Sequence, residues 1–210
     1  MVALVAVALQ TVAYGVNVAV FETRVQTLDA DDDVGLFTWA SASVTFAAAF
    51  VAFVVAVQGR RVAARWGVLA VIFAFFSLDD AVRVHERLAV GLTNAFDLQD
   101  AYGRLFWAVV YAPLLLTAFS IVWKLGRRAT GITRAALRLG LGLLGAGVFL
   151  ESVVSTAFFA AGGRPRSWSD VVEVAIEEGC ELGGWILIAA GLTGIAVSAF
   201  PPPPSYRRTG

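Results

Sequence analysis

Asp79, Asp80, His85 and Glu86 crowd the end of an apolar run in "FFSLDDAVRVHERL" (75–88), where no proline or glycine marks a loop. Far downstream, Glu151 lies in "FLESVVST", and Glu173, Glu177, Glu178 and Glu181 fill "VVEVAIEEGCELGGW". Carboxylates with an imidazole are ligands for Mn, Fe or Zn; carboxylates alone suit Ca or Mg. Bundle cores that hold di-iron and di-manganese centres draw such groups from facing helices. The candidate ligands of a divalent metal (Zn, Fe or Mn) are therefore Asp79, Asp80, His85, Glu151, Glu177 and Glu181. Glu86 and Glu178 are candidate ligands or catalytic general bases, because a carboxylate beside a metal-bound water can take its proton.

The same residues set limits. With a single histidine in the chain, a three-histidine zinc site cannot be built. The ferritin-like pattern needs two Glu-x-x-His pairs, and here Glu178 pairs at that spacing with Glu181. Cys180 is alone, so there is neither an intrachain disulfide nor a cysteine-based zinc site. Ser155, one helical turn after Glu151, is a candidate partner for that carboxylate.

The elements that carry these groups are written for lipid. The chain has 210 residues, 59% hydrophobic and 15% charged, with a mean hydropathy of +0.76. Soluble domains average about 45–50% apolar and about 25% charged residues. A bilayer span needs about 20 largely apolar residues. Stretches 1–21, 36–57, 66–88, 105–124, 135–160 and 171–198 qualify. The first has no basic leading segment and is read as a span rather than a cleaved leader. Connections are short, which predicts one six-helix transmembrane domain over 1–200. The Pro-rich end, 201–210, reads as an extended cytoplasmic tail. Net charge is zero and no basic patch calls for nucleic acid. The partners expected are the lipid bilayer and a lipid or small-molecule substrate.

Basic residues orient the bundle, since cytoplasmic loops collect Lys and Arg. Arg60, Arg61 and Arg65 fall in one connection; Lys124, Arg127, Arg128, Arg134 and Arg138 in another; Arg207 and Arg208 in the tail. No acid shares those segments. Both termini are thus placed in the cytoplasm of a multi-pass protein of the cell (inner or plasma) membrane. The acids all fall in outward loops, such as "DADDD", or in the outward halves of spans. Charges within lipid cost several kcal/mol unless paired or hydrated, and mark function by default.

Helical arithmetic groups them further. At 100° per residue Asp79 and Glu86 share a face with Arg83 between them, and Glu173, Glu177 and Glu181 form an i, i+4, i+8 row. Three readings compete: a salt-bridge network with Arg83 and Arg87, protonated carboxylates serving cation or proton movement, and a metal pocket. The corresponding functions are a scaffold, a small cation- or proton-coupled transporter, and a metal-dependent membrane enzyme. The inner halves of spans three and six carry no ionisable residue and that of span five only Arg138 at its entrance, which argues against a transport path.

Other features read more simply. Gly179-x-x-x-Gly183 and "LGLGLLGAG" (139–147) are close-packing faces. Tyr14 and Asn17 of the first span, at an i, i+3 spacing, have two readings: helix–helix hydrogen bonding, which is favoured, and the lining of a polar cavity beneath the site. Trp39, Trp107 and Trp168 read as interfacial anchors.

"SLDDAVRVHERL", followed by "LES" and "EEGCELGG", resembles a group of uncharacterised bacterial multi-pass membrane proteins. Their third-span motif reads Ser-Leu-Asp-Glu, four residues, then His-Glu, with a late Glu-Glu-x-x-Glu span. The resemblance covers roughly residues 66–195. Asp80 stands where that group more usually has Glu, which shortens this arm by one methylene. The resemblance implies a shared site and no particular reaction.

Overall fold

A computed structural model describes residues 1–30, 35–59, 63–98, 102–165 and 167–199, the side chain of Arg104 excepted. Asp31, Asp32, Asp33, Arg60, Arg61, Asp100 and the 201–210 tail, with Arg207 and Arg208, lie outside the described residues. Those described form helices: α1 (Val2–Phe21), α2 (Leu36–Gln58), α3 (Ala63–Val82), α4 (Val84–Phe96), α5 (Gly103–Arg128), α6 (Gly131–Phe149), α7 (Ser155–Ala160) and α8 (Trp168–Ala199). A π-helical turn, Leu150–Val154, joins α6 to α7.

Five stretches are long and apolar enough to cross a bilayer: Val2–Phe21, Leu36–Gln58, Leu105–Arg128, Gly131–Ala160 and Trp168–Ala199. Their outward faces are apolar as well. Phe46, Phe50 and Phe53 of α2 and Leu4 and Leu9 of α1 are exposed. In water such faces would drive aggregation, whereas lipid tails are as apolar as the side chains themselves. Helix α3, 20 residues long, holds Arg65, Asp79 and Asp80.

Small residues set the helix pairs. On α2, Ala48, Ala49 and Ala52 are buried against α3, where Leu69, Phe73 and Trp66 fill the seam. Ser77 of α3 donates to the Ala42 carbonyl of α2 at 2.8 Å, a cross-helix bond suited to a dry interior. Helices α6 and α8 approach more closely still. A Cβ on Gly140 would stand 2.9 Å from the Gly184 carbonyl oxygen, and one on Gly184 would stand 2.7 Å from Leu144 Cγ. The Gly179/Gly183 face takes Val7 of α1, whose methyls lie 3.1 and 3.3 Å from the two absent Cβ positions.

The sequence expectation of one unbroken helix over 66–88 is corrected. The chain breaks at Arg83, which adopts a left-handed backbone (φ 58°), and α4 starts in a new direction. The face shared by Asp79 and Glu86 was computed across this break, so that arithmetic does not hold. The fifth stretch likewise starts four residues early, at Gly131, and is interrupted by the π turn rather than running straight to 160.

Close packing of α6 on α8 makes a direct prediction. Gly184→Ala should lower stability by about 1–3 kcal/mol through overpacking. Gly142→Ala, with nothing within 4 Å of its added Cβ, should be neutral or slightly stabilising, as helix propensity requires. Thermal unfolding of the two variants in one detergent checks the contrast.

Candidate functional site: a carboxylate–histidine cavity

The break at Arg83 is where the site begins. Arg83 occupies the N-cap of α4 and has no side-chain oxygen with which to cap it. Asp79, six residues before His85, takes that role. Its Oδ1 accepts the His85 backbone N–H at 2.9 Å, as an N-cap oxygen would. Its Oδ2 lies 2.9 Å from His85 Nδ1. An ionised carboxylate only accepts, so the ring nitrogen facing it carries the proton. Tyr111 of α5 adds a third bond, its hydroxyl donating to Asp79 Oδ1 at 3.0 Å. Asp79 is 5% exposed, so these three donors replace its water.

This fixes the imidazole. With Nδ1 turned to Asp79, Nε2 faces Glu151, whose Oε1 lies 3.9 Å away. That is too long for a hydrogen bond. His85 Nε2 and Glu151 are the two groups that would hold a metal ion at this point of the cavity. Histidine ligands are commonly backed by a carboxylate in the way Asp79 backs His85.

Glu151 reaches this place through the π turn. Such turns insert one residue into a helix and recur at functional positions. Glu181 arrives from α8 by passing Gly147 of α6, where an added Cβ would stand 3.0 Å from Glu181 Cγ. Glu177, one turn earlier on α8, lies within electrostatic reach of Glu151 and Glu181. Asp80 lies within reach of Glu181, Asp79, His85 and Glu151.

All eight residues singled out from the sequence line one cavity of about 520 Å³: Asp79, Asp80, His85, Glu86, Glu151, Glu177, Glu178 and Glu181. Arg83 is the cavity's guanidinium, 3.9 Å from Glu86. Arg87 is exposed, so the expected network loses one of its two arginines. Among the described residues, no three His, Cys, Asp or Glu side chains stand in an arrangement that would hold a metal ion. A metal would need at least one carboxylate to swing inward.

Two expectations about the surroundings are corrected. Trp107 is not an interfacial anchor. It is 7% exposed, lines the cavity and packs its ring 5.3 Å from that of His85. Trp39 and Trp168 are 69% and 70% exposed, as anchors would be. Tyr14 and Asn17 do not line the cavity; Asn17 is occupied by the loop after α1, bonding Val25 O at 3.0 Å and Val25 N at 3.2 Å. Tyr111 was missed. Its signal was a phenol in mid-span, one turn below Trp107 on the same face of α5.

Fold and cavity together define a class: an apolar helical bundle of the kind membrane proteins build, with acidic groups gathered at one end of its interior. The chain belongs to the family described as Domain of unknown function (DUF8692), which matches residues 1–194. No curated protein and no solved structure matches it.

The Asp79 bonds carry a measurable consequence. Hydrogen bonds to charged groups contribute about 1.5–3 kcal/mol each. Tyr111→Phe should therefore cost about 1–2 kcal/mol, and Asp79→Ala, which strands two His85 donors, about 3 kcal/mol or more. Unfolding in a single detergent gives both values; equal and negligible losses would show that Asp79 does not anchor α4.

Proposed function

We propose that this chain is a six-span integral membrane protein of the cell membrane, with both termini cytoplasmic, whose cavity binds a cation near the extracytoplasmic leaflet. Helix α3 is the sixth span, its Asp79 and Asp80 compensated inside the bundle rather than exposed to lipid. The orientation follows from the basic residues at the opposite end of α3, α5 and α6. The observation that carries the reading is the charge imbalance in the cavity: seven carboxylates stand against Arg83 and His85. Like charges at such spacing in a low dielectric repel strongly, and a bound cation offsets that repulsion.

Two forms of cation fit the donor set. A divalent metal would take His85 Nε2, Glu151 and a carboxylate from α8, with Asp79 behind the imidazole. An organic ammonium would use the carboxylates alone. A channel through the protein fits less well, since the lining beneath the carboxylates is Leu115, Val122, Leu141, Leu144 and Ile188.

Purified protein titrated with Zn²⁺, Mn²⁺ or butylammonium should gain thermal stability, by about 2.7 kcal/mol at a hundredfold excess over Kd. Glu177→Gln and Glu151→Gln should remove the gain. His85→Ala should abolish a metal response while leaving an ammonium response in place. If none of these cations stabilises the native chain beyond a sodium control, cation binding is wrong and the acids serve the fold alone.

A further inference from the structure

The cavity is far larger than an ion needs, and its two ends differ in chemistry. The carboxylates gather toward one end. Below them, Phe73 and Phe76 line it from α3, Ala118 and Val122 from α5, and Trp185 and Ile188 from α8. At about 1.5 Å per residue, the step from Tyr111 to Val122 or from Glu181 to Ile188 gives this apolar shaft a depth of about 10–16 Å. Ligand pockets span about 300–1,000 Å³, and 520 Å³ lies well inside that range.

Two further observations point to an occupant. Trp107 Nε1–H and Ser41 Oγ are wholly buried and meet no hydrogen-bond partner, and both residues line the cavity. Ser41 and Trp107 lie near the starts of α2 and α5, on the level of the acids. Buried donors without acceptors are costly, so a bound group carrying an acceptor would satisfy them. The wall between the levels is aromatic. Tyr111 stacks on Phe76 with centroids 6.4 Å apart, and Trp185 meets Phe73 edge-on at 5.2 Å. Ring faces beside carboxylates suit an organic ammonium.

Building on the cation-binding reading, we infer that the ligand is a single-chain amphiphilic amine. Its ammonium lies among Glu151, Glu177 and Glu181. A neutral hydroxyl or carbonyl next to the amine meets Trp107 and Ser41. Its alkyl chain fills the shaft down to Val122 and Ile188. A phospholipid headgroup is disfavoured, because its phosphate would face the same carboxylates with Arg83 as its sole guanidinium.

The test uses the full chain in phosphatidylcholine nanodiscs, with tryptophan fluorescence read against 12-bromododecylamine, whose bromine quenches indoles it touches. Saturable quenching is expected, reversed by unlabelled dodecylamine. The same-length alcohol, 12-bromododecanol, should give only the unsaturable quenching of lipid-facing tryptophans. Trp185→Phe should remove most of the saturable part. Ala118→Phe, which plugs the shaft, should weaken binding by about tenfold, as should Glu177→Gln. The competition experiment needs no variant, so a substitution that fails to fold leaves the test intact. Equal behaviour of alcohol and amine overturns the inference. So does stabilisation by Zn²⁺ or butylammonium without saturable bromododecylamine quenching, which would leave the cation reading standing. Absence of every cation response would remove both.

Discussion

Asp79 grips His85 twice, through the backbone N–H and through the imidazole, and the rest of the site depends on that grip. Arg83 sits in a left-handed conformation that costs a residue other than glycine about 1–3 kcal/mol. Two hydrogen bonds to a buried carboxylate, at about 1.5–3 kcal/mol each, outweigh it. The chain therefore turns at Arg83 instead of running straight, α4 begins where Asp79 can cap it, and the imidazole is aimed by the same act. Tyr111 then ties α5 to this corner. One carboxylate thus couples a backbone break, a helix start, a ring orientation and a neighbouring helix.

Backbone devices help to place two of the other acids. Glu151 rides on a π turn and Glu181 passes a glycine of α6. Both devices have a cost: a π turn gives up regular hydrogen-bond geometry, and a mid-helix glycine loses about 1 kcal/mol relative to alanine. Their placement around one cavity, with an apolar shaft beneath, gives a polar head end and a chain end in one continuous space. That polarity follows the direction in which the acids are confined along α3, α8 and the π turn after α6.

Much of this was legible in the sequence, because hydropathy and charge act over long stretches. The long helices begin and end close to the limits of the apolar runs, and the acids selected for their cost in lipid lie around a single cavity. What escaped was local and cooperative. No proline or glycine marks the break at Arg83, since its cause is a side chain four residues upstream. The π turn has no composition signature. Trp107 reads as an interfacial anchor by position and is instead a wall of the cavity, because the ring has His85 and Tyr111 to pack against. Asn17, open to a helix–helix bond or a cavity role, serves a loop instead, since its amide matches both backbone groups of Val25. In each case tertiary partners, invisible to periodicity, decide the outcome.

The chain has a single histidine, so ¹⁵N-histidine labelling gives a spectrum of His85 alone. That spectrum is the most direct measurement of the corner on which the site depends. In the native protein the Nδ1 resonance should be that of a protonated nitrogen in a strong hydrogen bond. It should change in Asp79→Asn, while Nε2 responds to Glu151→Gln. An Nδ1 resonance like that of free imidazole, unmoved by Asp79→Asn, would contradict the account and detach His85 from the cavity.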